Sequence, residues 1–215
     1  MGRQNHYLSR LRELWGRFWH FFWEEDTLLS WIVNVIVAFV VIKWVVYPFL
    51  GLLLGTQYPV VAVVSESMEH NSMDFDQWWD QNNEWYMEHS ISKQEFESFP
   101  FEDGFNKGDI MVVYGYNRID IGDVVVFWGG KKEPIIHRVV RKWNVDEQLH
   151  LQTKGDNNRE PLKVYRSRSG SQVRVIDETD ISEKDVVGEA VLRIPWLGYI
   201  KIWFVRLLEL MHIIN

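Results

Sequence analysis

Cysteine is absent from the 215 residues, which excludes disulfides, a thiolate metal site and a cysteine nucleophile. Basic residues are also in deficit, 23 Lys and Arg against 30 Asp and Glu for a net charge of -7. A polyanion needs a dominant basic patch, so nucleic acid is not an expected partner. No HExxH or comparable ligand spacing occurs; His70 and His89 stand among carboxylates without it, and neither a metal nor a cofactor is expected. The length holds one medium domain and an anchor but not two full cores.

What is abundant is tryptophan, 12 residues, and indoles favour membrane interfaces, where ring and N–H are both satisfied. From Tyr7 to Trp23, Leu8, Leu11, Trp15, Phe18, Trp19, Phe22 and Trp23 recur at helical spacing with Arg10, Arg12, Glu13 and Arg17 between them. This is the pattern of an interfacial helix or of an amphipathic core helix. Leu28 to Leu54 is apolar apart from Ser30, Asn34, Lys43 and a few small or ring residues, long enough for one transmembrane helix and too long for a cleavable signal. Lys43 can snorkel from its later part, and Pro48 is expected to kink or end it. Arg3, Arg10, Arg12 and Arg17 precede the span, whereas no Lys or Arg lies between Lys43 and Lys93. The expected topology is single-pass, with a cytoplasmic N-terminus and an extracytoplasmic remainder.

After Gly55 the chain becomes short β-branched runs bounded by Gly and Asp: Tyr58 to Val64, Ile110 to Tyr114, Val124 to Trp128, Ile135 to Val140, Gln148 to Thr153 and Val186 to Ile194. The predicted class is mainly β, an antiparallel domain over 55–199 behind an interfacial segment 1–27 and a transmembrane helix 28–54. A polar, aromatic insertion at about 70–106 carries short helices, one with an N-cap at Ser92. Its Trp78, Trp79, Trp85, Tyr86, Phe96, Phe99, Phe101 and Phe105 could dip into headgroups, cap a groove or form a satellite core. Residues 200–215 form an amphipathic helix with Ile200, Trp203, Phe204, Leu207, Leu208 and Met211 on one face; Lys201, Arg206, Glu209 and His212 favour an interfacial helix over a second span.

Three strings carry chemistry. A serine in VVSESME follows a strand, a histidine lies within PIIHRVV, and an acid sits in the tight turn TKGDNN. A serine hydroxyl is a poor nucleophile until a neighbour takes its proton; neutral imidazole suits that task, and a carboxylate can fix its tautomer. Each string alone is as readily a turn or a core histidine.

Together, in this order and behind one span, SESME, GDVVVF, IIHRVV, TKGDNN and VGEAVLRIPWLGYIKI resemble the signal peptidase I family in its archaeal and endoplasmic-reticulum branch. The resemblance implies a serine endopeptidase that cleaves signal peptides from exported preproteins, with Ser67 as nucleophile and His137 as base, where the bacterial branch uses lysine. It implies Asp156 as the orienting acid and Ser65 as an oxyanion donor, although Ser65 reads equally as a turn serine. It also implies a substrate segment added to a strand edge, with Val60 to Val64 and the region of Val125 as walls. Partners are then signal-peptide-bearing preproteins, the lipid bilayer and a protein-export channel.

Two positions depart from the family pattern. Glu66 stands where glycine is common, and the second Asp usual after GDNN is missing, with only Glu160 nearby and Asp177, Glu178 and Asp180 further on. Lys131 and Lys132 precede a proline in a solvated turn, which argues against a Ser/Lys pair. The remaining alternative is a membrane-tethered β domain that binds exported chains or a partner without cutting them.

Overall fold

The computed structural model describes residues 27–116, 118–129, 134–168 and 171–210, and before them Arg10, Arg12, Glu13, Gly16, Trp19 and His20 singly. The chain divides into two compact units, Met1–Leu50 and Gly51–Asn215.

Helix α1 (Leu28–Val41) starts at Thr27, whose Oγ1 accepts from the Ser30 N–H at 3.1 Å. It widens into a π-helical stretch, Ile42–Val46, and continues as α2 (Tyr47–Leu54). Pro48 therefore does not end the helix. Its ring denies an N–H to the carbonyl four residues back, and the wider winding falls at that place. The run Leu28–Leu54 has 27 residues, enough to cross a hydrocarbon core of about 30 Å. Trp31, Phe39, Trp44 and Phe49 are all exposed along it. So bare an apolar cylinder has no stable aqueous state, and it marks a membrane protein. The six described positions between Arg10 and His20 are helical; the rest of the segment Tyr7 to Trp23 lies outside the described residues.

The second unit is built on an antiparallel seven-stranded sheet of order β1-β2-β9-β3-β4-β5-β8. Its strands are β1 (Val60–Ala62), β2 (Ile110–Tyr114), β3 (Val124–Phe127), β4 (Ile135–Val145), β5 (Gln148–Lys154), β8 (Ile181–Ser182) and β9 (Val186–Ile194), while β6 (Lys163–Arg168) and β7 (Ser171–Asp177) form a separate antiparallel ribbon. The first strand is shorter than the run Tyr58 to Val64, because Pro59 has no N–H to give a ladder. The ribbon and β8 escape periodicity altogether: KVYRSR and SQVRVID alternate weakly and are rich in charge.

Successive side chains of a strand point to opposite faces, and β3 makes this visible. Val124 and Val126 join Val63, Met68, Met111, Val113 and Ile136 in one core, whereas Val125 and Phe127 join Ile119, Val139, Leu151 and Ile181 in another. Buried on both sides, β3 aligns its neighbours, and Val125 opposes His137 of β4. The insertion supplies α3 (Phe75–Glu88), capped by Asp74, and the short α4 (Lys93–Phe96), capped by Ser92 as its sequence predicts. Trp78, Trp79, Tyr86, Phe96 and Phe99 close a third core with Val140. These aromatics form a satellite core. Helix α5 (Tyr199–Leu210) follows β9, with Ile200 and Trp203 exposed; Met211 onward lies outside the described residues.

Candidate active site

The serine loop leaves the sheet just after Val63, whose N–H bonds the Asp109 carbonyl at 2.9 Å. It is clamped from both sides. Buried Met68 accepts at its carbonyl from Phe105 N–H at 3.0 Å, and the Asn157 N–H donates to the Ser67 carbonyl at 2.8 Å while its Nδ2 donates to the Glu66 carbonyl at 3.0 Å. Gly104, at φ +66°, has no room for a Cβ, which would fall 2.3 Å from the Met68 carbonyl. The loop geometry is thus set by the insertion's return on one side and by the GDNN turn on the other.

In this setting Ser67 Oγ lies 2.8 Å from His137 Nε2 and 3.0 Å from Ser65 Oγ. His137 Nδ1 makes a short contact with Glu178 Oε1. The imidazole and the carboxylate are both buried. Glu178 accepts further bonds from Thr153 Oγ1 at 3.1 Å and from the Leu162 N–H at 2.6 Å. Its backbone is pinned by Thr153 N–H to Glu178 carbonyl and Glu178 N–H to Leu162 carbonyl, both at 2.9 Å. The hydrogen-bond pattern suits the tautomer in which Nδ1–H donates to Glu178 and Nε2 accepts from Ser67.

Asp156 is elsewhere. It receives Arg138 Nε at 3.0 Å and Nη2 at 2.7 Å, Tyr86 Oη–H at 3.3 Å and His70 Nε2 at 3.3 Å. Arg138 follows His137 on β4 and therefore faces the opposite side of the sheet. Its remaining donors reach the carbonyls of Pro100, Gly122 and Phe101 at 2.7 to 2.9 Å. Burial by itself raises the Asp156 carboxyl, but the Arg138 charge and the bonds from His70 and Arg138 override it and hold the carboxyl well below the usual range. Tyr86 moves up, through burial and the nearby Asp156 charge.

Glu160 is exposed and has no hydrogen bond to His137. Asp177 Oδ1 accepts from the Thr179 N–H at 3.0 Å, and Asp180 Oδ1 lies 2.6 Å from His150 Nδ1. The Glu66 carboxylate is exposed and reaches Lys107 Nζ at 3.5 Å. Lys131 and Lys132 lie outside the described residues. Lys154, however, is buried, with Nζ donating to Tyr86 Oη at 3.1 Å and to the Gly155 carbonyl at 3.2 Å. Desolvation lowers its ammonium to about 8, against the Asp156 and Glu178 charges that favour protonation. Among the described residues no lysine amine bonds Ser67.

Arg138 and Lys154 were not singled out by the sequence, and Tyr86 only as one of the insertion's aromatics, although a charge inside the apolar run PIIHRVV carries a signal of its own, since a buried cation demands partners. Beside Ser67 and His137 opens a cavity of about 190 Å³ bordered by Val61, Ala62, Ile135, Ile136 and Leu162. A Cβ at Gly155 would meet the Ser67 carbonyl at 2.7 Å and His137 Nε2 at 2.9 Å, so glycine is required there. Among the described residues no group of three or more His, Cys, Asp or Glu is arranged to hold a metal ion.

Comparison with known proteins bears on this geometry. No model of a protein family matches the chain. The chain is similar to the Signal peptidase complex catalytic subunit SEC11 of Lachancea thermotolerans, 41% identical over 111 residues. It is similar to those of Colletotrichum graminicola and Pyricularia oryzae, 35% and 33% identical over 105 residues. Each match takes in 47% of this chain and 56 to 59% of the relative. The chain thus spans a little over half the length of the curated relatives it matches.

Proposed function

We propose, from the chain's homology with the endoplasmic-reticulum branch of the signal peptidase I family, that it is a membrane-anchored serine endopeptidase that removes signal peptides from exported preproteins. The observation that carries this reading is Ser67 Oγ at 2.8 Å from His137 Nε2, with Glu178 on the far nitrogen of the ring. In the proposed reaction the Ser67 oxygen bonds to the scissile carbonyl carbon as its proton passes to Nε2, and the carbonyl π pair moves onto oxygen. The Ser65 hydroxyl and the Ser67 backbone N–H stabilise that oxyanion. His137 returns the proton to the leaving amine as the C–N bond breaks, leaving an acyl-enzyme. A water deprotonated by Nε2 then releases the signal peptide's carboxylate and restores Ser67. Glu178 keeps the resting proton on Nδ1 and offsets the imidazolium charge. In this reading Glu178 takes the orienting role, and Asp156 acts through Arg138 on the shape of the site.

The substrate reading rests on β1, an edge strand with β2 as its one neighbour in the sheet. Its free edge can receive an extended segment, and the 190 Å³ cavity beside Ser67 suits a small side chain. For topology we infer a cytoplasmic segment 1–27, one span at 28–54, an extracytoplasmic domain 55–199 and an interfacial helix 200–215. The arginines before the span support the orientation, and the exposed Trp196, Leu197, Ile200 and Trp203 support the interfacial helix. The relatives' names state a complex, so further subunits and an export channel that delivers preproteins are proposed as partners.

The test is incubation of the detergent-solubilised chain with a preprotein. Wild type cleaves it, whereas Ser67→Ala and His137→Ala do not. Undiminished cleavage by Ser67→Ala ends the reading.

A further inference from the structure

A second cavity, of about 580 Å³, lies between α3 of the insertion and the GDNN turn, with Glu84, Trp85, Glu88, Arg159 and Glu160 on its walls. Asn158 lines both this cavity and the one that holds Ser67 and His137. The Asn158 backbone N–H is bonded to the Gly155 carbonyl at 2.9 Å, but its side-chain Nδ2 is buried with no hydrogen-bond partner among the described residues. An amide donor withdrawn from water without an acceptor is unfavourable. The terminal torsion of an asparagine is soft, so the amide is free to turn toward an acceptor that enters beside it. The donor also stands close to the chemistry: the point where a Gly155 Cβ would sit is 2.7 Å from Asn158 Nδ2 and 2.9 Å from His137 Nε2.

The walls carry a charge bias. Glu84, Glu88 and Glu160 share the lining with Arg159, and no ion pair of any of the four is found among the described residues. The Lys154 ammonium at the same wall bonds Tyr86 Oη and backbone carbonyls and keeps its charge, so three carboxylates stand against two cations. The cavity lining is therefore net negative by one charge.

We propose that this second cavity is the subsite for the polypeptide on the mature, C-terminal side of the scissile bond, with Asn158 Nδ2 donating to its backbone and the three glutamates selecting basic over acidic side chains. The inference rests on the peptidase reading above. The edge of β1 and the small cavity hold the upstream segment, and the downstream chain leaves Ser67 past Asn158.

The experiment uses the full chain in detergent and three preproteins that differ only in the second and third mature residues, Ala-Ala, Lys-Lys or Glu-Glu. The expected result is a KM about tenfold lower for the Lys form than for the Glu form, a gap that the triple variant Glu84→Gln, Glu88→Gln, Glu160→Gln erases. Asn158→Ala raises KM for all three forms about tenfold, the loss of one hydrogen bond, with kcat kept and a thermal midpoint unchanged or higher, because no internal bond is removed. Equal KM for the Lys and Glu forms, a preference that survives the triple variant, or wild-type KM in Asn158→Ala overturns the subsite. Failure of the wild type to cleave the Ala form overturns instead the peptidase reading and the subsite with it.

Discussion

His137 and Arg138 are neighbours on β4, and each meets a buried carboxylate, yet the two networks are opposites. On one face the imidazole joins Glu178 to Ser67 and borders a cavity. On the other the guanidinium donates twice to Asp156 and to the carbonyls of Pro100, Gly122 and Phe101, with its carbon 4.7 Å from the Phe96 ring. All its donor groups are used and it cannot lose its proton. A permanent cation fixes its carboxylate as structure. In the proposed reaction the His137 ring gains and releases a proton, and its carboxylate has that proton to steer. One residue of register on a pleated strand separates the two outcomes.

The comparison breaks most visibly at its two acids. Glu178→Gln leaves a neutral partner that no longer dictates the ring tautomer, and kcat is expected to fall by about 10⁴, while the amide NH2 that replaces one accepting oxygen costs about 1–3 kcal/mol of stability, less than the change at Asp156. Asp156→Asn strands Arg138 in the core, and loss of one partner of a buried pair costs about 3–5 kcal/mol. Its expected signature is a large drop in denaturant midpoint, with most of the per-molecule kcat retained by protein that is still folded. If the two variants exchange signatures, the roles assigned to the faces of β4 are reversed.

How far these faces can be read from sequence depends on range. The apolar runs of β2, β3 and β9, the Ser92 cap and the apolar helix obey periods of two and 3.6 residues, so local pattern suffices. Ser67 and His137 could be paired only through motifs known to occur together. Glu178 lies 41 residues from His137 and arrives at the end of β7, part of a charged ribbon whose strand signal is weak. Asp156 was expected to orient His137 because the family resemblance implies an acid in GDNN for that role; it bonds the next residue on the strand instead. No periodicity tells which of two adjacent side chains a distant turn will meet, although the buried Arg138 needed some carboxylate and Asp156 was a candidate in view.

A smaller effect sharpens the boundary between the networks. Gly155 lies between Lys154 and Asp156 in the chain and against Ser67 and His137 in space, and Gly155→Ala puts a methyl 2.7 Å from the Ser67 carbonyl and 2.9 Å from His137 Nε2. Displacement of reacting groups by about 1 Å costs about 10²-fold in rate. Initial-rate kinetics should therefore show that loss in kcat, together with a stability loss of about 1–3 kcal/mol from overpacking the turn; wild-type turnover would mean that the turn yields without moving the pair.

The smallest effect concerns Lys154, which lies behind Asp156 on the structural side. Its ammonium is lowered to about 8, chiefly by desolvation, whereas an unfolded lysine titrates near 10.4. Below about 8 the side chain is charged in both states and the burial penalty is present in full. Between about 8 and the ordinary lysine range the folded chain gives up this proton while the unfolded chain keeps it, so the unfolded state binds more protons and stability contributed here rises with pH. Replacing Lys154 with Met keeps the stem and removes the charge. Denaturant titrations at pH 7, 8, 9 and 10 should show wild type gaining on the variant across this window, with the variant the more stable of the two at pH 7. A gap that does not narrow with pH would mean that Tyr86 and the carbonyls around Nζ hold the ammonium charged in the folded state, and that the charge of Lys154 belongs to the fixed network on the Arg138 side.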